Sequence, residues 1–341
     1  MRCKRFARMG LLAASFVLVS SIPGFGQTYH IADRWMIGGQ GGWDYFVADG
    51  PAHRLYVTHN SRVEVVDTTT GKVLGAITGM KSTHGVALDP DGKSGYISDG
   101  AGNAVVVFDR STFATEATIP AGTNPDGIVY EPVTKTVWAF NGRSHDVSVI
   151  DVAARKVIAT LPVGGKPEFP VADGKGNVFV NIEDKSEILK LDAKTHSGFA
   201  HWPLGCDSPS GLAYDAAGHR LFSVCDGGKM VVTDSQTGRV LATPAIGDSP
   251  DATGYDAQHK VAFSSNGDGT LTVVDASKPS YPVVQTLKTE KGARTMAFDD
   301  VTGRVYLVTA KFGPAPAPSA ASPRPRPTIE PDSFSVLVVT R

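Results

Sequence analysis

The chain has 341 residues, 33 basic against 34 acidic, with 41% hydrophobic and 20% charged positions, 37 glycines, 22 prolines and three cysteines. That composition supports a buried core of ordinary size and excludes a disordered or collagenous chain. A near-neutral balance with no Lys/Arg stripe also excludes electrostatic binding of nucleic acid.

At the start, Arg2, Lys4, Arg5 and Arg8 precede an apolar run from Met9 to Ile22, followed by the small residues Gly24-Phe25-Gly26. The run is too short for a comfortable bilayer span, so residues 1–26 read as an export signal. The mature chain, 27–341, is then expected in the periplasm or outside the cell, with no membrane span and no lipid-attachment cysteine. Cleavage removes Cys3 and leaves 29 basic against 34 acidic residues, a net charge of −5.

Tyr29 to Ile37 reads as a strand that runs into Gly38-Gly39. Beyond it the chain repeats. Apolar strands end in aspartate at Asp67, Asp109, Asp151, Asp192, Asp234 and Asp275, at spacings of 42, 42, 41, 42 and 41 residues. Each unit carries four strands rich in Val, Ile, Phe, Tyr and Trp, separated by Gly, Pro, Asn and Asp. In the third these are Ile128 to Tyr130, Thr136 to Phe140, Asp146 to Asp151 and Lys156 to Leu161. A period of this length with four strands per unit predicts an all-β, seven-bladed β-propeller forming one domain over 27–341. The seventh unit stops at its third strand, Phe334 to Thr340, so the N-terminal strand is expected to complete that blade and close the ring. Gly313 to Asp332, rich in Pro and Ala, reads as an extended loop insertion between the second and third strands of the last blade, either a tolerated surface feature or a docking arm.

Tyr56-Val57-Thr58 followed by Asn60, then Val63-Glu64-Val65-Val66-Asp67 and Gly71-Lys72-Val73-Leu74, resemble the YVTN family of β-propeller repeat proteins, also called YncE-like. Degenerate copies run over about residues 29–341, and His59 is inserted before the Asn of the tetrad. The resemblance implies the propeller and leaves activity open, because such families include both binding proteins and enzymes.

Familiar catalytic motifs are missing: there is no Gly-x-Ser-x-Gly, His-Glu-x-x-His or Cys-x-x-Cys. Asp89-Pro90-Asp91-Gly92 lacks the glutamate of a calcium loop and reads as a hairpin turn. His53, His219 and His259 fall in turns and are expected to be solvated.

The residues that open the innermost strands form a more informative set. In order they are Asp44, His84, Asp126, Glu168, Ser210, Asp251 and Arg294. Innermost strands line the central channel, so these side chains are expected to converge at one mouth of it and to perturb one another's ionisation. Turn chemistry alone would account for a repeated Pro-Asp-Gly. It would not account for His84, Glu168, Ser210 and Arg294 in place of the aspartate. Asn60, Asp99, Asn141, Asn181, Asp226 and Asn266, at the ends of the second strands, are expected to form the next layer.

The expectation is a monomeric exported binding protein without catalysis or cofactor, whose partner is a small ligand or an envelope protein. A second possibility is a divalent cation on Asp44, His84, Asp126 and Glu168 in a lactonase-like hydrolase; a third is a pure scaffold. Arg294 favours an organic anion over a cation. Cys206, just before the fifth innermost strand, and Cys225, at the end of the antiparallel strand beside it, are expected to form a disulfide.

Overall fold

Short apolar runs interrupted by turn residues fold into antiparallel hairpins, and this chain is a succession of them. The computed structural model describes residues 28–317 and 327–341. Within these, 28 strands form seven four-stranded antiparallel sheets. The proposed signal at 1–26 lies outside the described residues, among which no helix is long and apolar enough to cross a membrane.

The innermost strands are β2 (Phe46–Asp49), β6 (Thr83–Leu88), β10 (Pro125–Glu131), β14 (Pro167–Ala172), β18 (Asp207–Asp215), β22 (Pro250–Asp256) and β26 (Met296–Asp299). Each touches the next, and β26 returns to β2, which closes the ring. The closing sheet has the order β26, β27 (Arg304–Thr309), β28 (Ser335–Thr340), β1 (His30–Met36). β1 pairs antiparallel with β28 from His30↔Thr340 to Met36↔Ser335. The two ends of the chain thus complete one blade, as expected, and remove the edge that β28 would present.

Register explains the core. The second strand of every blade sets one aromatic residue opposite a smaller partner on the innermost strand: Tyr56↔Val47, Tyr96↔Ala87, Trp138↔Val129, Phe179↔Val171, Phe222↔Ala213, Phe263↔Gly254 and Tyr306↔Ala297. None of the seven rings is more than 1% exposed, and burying each stabilises the fold by about 2–3 kcal/mol.

The aspartate that sets the period is a turn device. Asp67 Oδ1 accepts the N–H groups of Thr69 and Thr70, Asp109 Oδ1 those of Ser111 and Thr112, and Asp234 Oδ1 those of Gln236 and Thr237. These bonds hold the third-to-fourth strand turn; the Thr69 and Ser111 hydroxyls, which also donate to these carboxylates, together with the N–H groups pull the Asp67 and Asp109 carboxyls down to about 2.

The Pro-rich segment lies between β27 and β28. Its base closes through an antiparallel bridge, Phe312↔Ile329, with Gly313 N–H donating to the Thr328 carbonyl at 2.8 Å. Residues 318–326 lie outside the described set. The Cys206–Cys225 disulfide is present, with the Cα atoms 6.1 Å apart.

Candidate functional site

Three local devices hold the opening residue of an innermost strand over the channel. Proline precedes it in four blades, at Pro125, Pro167, Pro209 and Pro250, where a strand start tolerates the missing N–H. Ahead of three of these prolines, Asn124, Ser208 and Ser249 have φ of 59°, 45° and 54°, turning the chain toward the channel. A register shift then falls on the site residue itself in five blades, between Thr83/Val86, Pro125/Ile128, Pro167/Pro170, Pro209/Leu212 and Pro250/Ala252. Such bulges re-aim a side chain out of the sheet.

The glycine after the site residue, as in Pro125-Asp126-Gly127 and Pro209-Ser210-Gly211, has a separate reason. A Cβ on Gly211 would sit 2.7 Å from the Asp251 carbonyl, and one on Gly127 would overlap the Glu168 carbonyl. Only glycine lets neighbouring innermost strands approach so closely. Behind them, buried polar residues at one register position of the second strands hold the backbone at the site. Thr58 accepts from Asp44 N–H at 3.0 Å, Ser98 donates to the Asp126 carbonyl at 2.6 Å, Asn181 donates to the Ser210 carbonyl at 3.0 Å, and Ser265 donates to the Arg294 carbonyl.

All seven expected ring residues line a single cavity of about 470 Å³. Its other walls include Trp43, Tyr45, Lys166, Glu183 and Ser208, none of which stands out in the sequence. Glu183 arrives on an extra 3-10 turn, Glu183–Lys185, peculiar to the fourth blade. Tyr45 makes the floor. Its hydroxyl donates to the Asp251 carbonyl at 2.8 Å and its ring meets Phe169 at 4.5 Å, so residues of blades one, four and six meet across the channel. The site is therefore a cup.

The expected second layer is not one layer. Strand pairing puts His59, Asp99, Asn141, Ile182, Cys225 and Asn266 at equivalent positions. Asn60 and Asp226 lie one residue beyond and line the cup, whereas Asn181 lies one before and acts as the backbone clamp described above. Asp99 accepts the Lys81 and Ser82 N–H groups at 3.0 and 2.8 Å, and Asn141 donates to Asp146 and Ser148. Asp99 thus holds the loop before β6, and Asn141 ties its strand to the neighbouring strand Asp146–Asp151 through its amide, with its buried Oδ1 left without a partner among the described residues. Among the turn histidines, His259 is not simply solvated: its Nδ1 is 2.6 Å from Asp256.

Crowding sets the electrostatics of the cup. His84 Nδ1 lies 2.7 Å from Asp44 Oδ2 and 3.7 Å from Asp126 Oδ1. Burial opposes a charge on this imidazole, but the Asp44 hydrogen bond and the charges of Asp126, Asp44 and Glu168 prevail and raise it to about 9. Burial raises Asp126 to about 6, helped by Asp44 and opposed by His84. Burial raises Asp251 to about 7 although Arg294 Nε lies 3.1 Å away. Burial and the charge of Asp126 lift Glu168 to about 8, against the pull of Lys166 at 2.7 Å. Lys166 also pairs with Glu183. The hydroxyl of Tyr45, buried beneath four carboxyls, is pushed well above its ordinary value and stays neutral. Ligating atoms of Asp44, His84 and Asp126 lie within 4.8 Å of one another, a spacing that suits one cation.

No protein-family model matches the chain, and no curated protein matches it. Solved structures do match: Kuenenia stuttgartiensis hydrazine synthase (TM-score 0.69, 15% identity, 79% of this chain and 92% of that one), U3-55K (0.73, 10%, 91% and 98%) and the WD40 repeats of RRP9 (0.74, 10%, 92% and 97%). At such identities the likeness is one of fold, a propeller with WD40-like repeats, and function has to be argued from the cup.

Proposed function

We propose that this is an exported, monomeric propeller of the YVTN repeat type that binds a small, positively charged ligand in the cup at the channel mouth, without chemistry of its own. One observation carries the reading. Six carboxyl groups, Asp44, Asp126, Glu168, Glu183, Asp226 and Asp251, surround the cup against three basic groups, and each basic group already has a carboxylate partner within it. An incoming cation offsets the mutual repulsion of these carboxylates, while an anion meets no unclaimed positive charge. This reverses the preference for an anion that Arg294 suggests in the sequence, because Asp251 pairs with it and screens part of its charge. The disulfide supports an oxidising compartment.

Calorimetric titration of the chelator-treated mature protein with calcium, zinc, ethylammonium and acetate tests the reading. Binding of at least one cation, lost in Asp126→Asn/Glu168→Gln, supports it. Binding of acetate alone refutes it.

The Asp44, His84 and Asp126 cluster favours a second reading, in which the cation is a divalent metal, with Glu168 nearby, that polarises a carbonyl for lactonase-like hydrolysis. Asp251 or Glu168, raised toward neutrality, would then serve as the base. Stoichiometric metal in the purified protein together with lactone turnover would establish it; metal without turnover would reduce it to binding.

A further inference from the structure

The acidic cup does not end at its own rim. A second cavity of about 290 Å³ adjoins it and shares Gly42, Trp43 and Arg294 with it; Gly292, Phe312, Pro327 and Ile329 complete its walls. The two differ in chemistry: one is ringed by carboxylates, the other by aromatic and aliphatic groups. Together they have the make-up of a small-molecule site, an apolar compartment with a few charged groups that orient the ligand.

The apolar walls are built. Trp43 stacks on Phe334 at 5.2 Å with 30° between the rings, and Phe334 in turn packs against the buried His59 ring at 4.4 Å. Phe312, 37% exposed, lies 6.1 Å from Trp43. It is held there by its bridge to Ile329 and by Gly292, where a Cβ would lie 2.6 Å from the Phe312 ring. A fixed, exposed phenylalanine beside a tryptophan at the edge of a charged cup is apolar surface awaiting a partner.

Resting on the cation-binding reading above, we infer that the ligand is an organic ammonium ion bearing one ring-sized apolar group, with the ammonium among the cup carboxylates and the ring in the second cavity, against the wall that Trp43 and Phe312 form side by side. A bare metal ion leaves the annex unused. Arg294, at the junction of the two cavities, repels a second positive charge, so a polyamine fits poorly and the neutral part of a monocation passes it freely. Trp43, which borders both cavities, adds cation–π attraction where the ammonium meets the ring compartment.

Three probes test this on the mature chain with chelator present: 2-phenylethylammonium, ethylammonium and 2-phenylethanol. The phenyl ring should strengthen binding roughly tenfold over ethylammonium, and the uncharged alcohol should not bind measurably. Phe312→Ala should erase the phenyl advantage while leaving ethylammonium affinity unchanged; Trp43→Leu, if its melting temperature shows that it folds, should erase the advantage and also weaken ethylammonium, since it removes the cation–π attraction. Equal affinity for the two ammonium ions, or a phenyl advantage that survives Phe312→Ala, overturns the annex and leaves cation binding intact. Failure of both ammonium ions to bind overturns the ammonium assignment, and if calcium and zinc also fail, the cation-binding reading falls with it.

Discussion

Asp126→Asn combined with Glu168→Gln should stabilise the ligand-free protein at alkaline pH, because the cup holds carboxylates closer together than an unliganded fold prefers. In the folded protein Asp126 and Glu168 hold their protons up to about 6 and 8, against 3.8 and 4.5 ordinarily. The folded state thus binds protons more tightly than the unfolded chain. The stability involved is present in full below about pH 4 and is lost as the pH rises through 6 to 8. Treated as independent, the two groups would lose about 5 kcal/mol between pH 5 and pH 8.5. Part of the Glu168 shift is the charge of Asp126, so the shared repulsion is counted once and about 3 kcal/mol remains. For a body of roughly 310 residues the unfolding entropy is about 0.65 kcal/mol/K, so the wild type should lose about 5 °C of melting temperature across that range beyond any loss in the variant. Thermal unfolding followed by circular dichroism in chelator-containing buffers at pH 5 and 8.5 measures both. A variant no more stable relative to wild type at pH 8.5 than at pH 5 would refute the reasoning and mark the carboxylates as structural.

Other perturbations probe separate parts of the argument. Cation affinity should rise from pH 5 to 8 as Asp126, Asp251 and Glu168 lose their protons, and for a divalent ion on Asp44, His84 and Asp126 the rise should continue toward pH 9, where His84 gives up its own; titration in two buffers of different ionisation enthalpy reads the protons released. Arg294→Ala should strengthen cation binding about threefold by removing a partly screened charge, and unchanged calorimetric affinity would remove Arg294 from the site. Deleting residues 29–37 strips β1 from β28 and takes buried Trp35 from the core, so it should cost at least about 3 kcal/mol and promote aggregation; an unchanged melting temperature would contradict the closure. Reducing the Cys206–Cys225 bridge should cost on the order of 3 kcal/mol, and mass spectrometry of unreduced, alkylated protein should show the cross-linked peptide, not two labelled thiols.

Much of the architecture is written locally, which is why the sequence determines it. Each turn aspartate bonds N–H groups two or three residues away, so Asp67 and its counterparts mark the blades without reference to anything distant. The membership of the ring was legible for a similar reason: a residue close to the start of an innermost strand lines the cavity in every blade, although Asp44 and Arg294 lie two residues ahead of β2 and β26 and do not open them. So was the disulfide, since antiparallel neighbours in one hairpin leave little freedom of placement. The second-strand layer was not legible. Asn60, Asn181 and Asp226 fall one residue from the common register, and a one-residue slip along a strand reverses the face a side chain occupies. The tertiary structure alone decided what the ring encloses. Tyr45 becomes a floor by reaching Asp251, 206 residues away; Glu183 enters the cup on an extra turn in one blade, and the backbone of Lys166, just before β14, is bonded to that turn. Trp43 meets Phe312 and Phe334 only because both chain ends share the closing blade. The displaced ionisation of Asp126, Glu168 and Asp251 follows from the same convergence, because desolvation and Coulomb repulsion depend on distances between blades that a linear period does not contain.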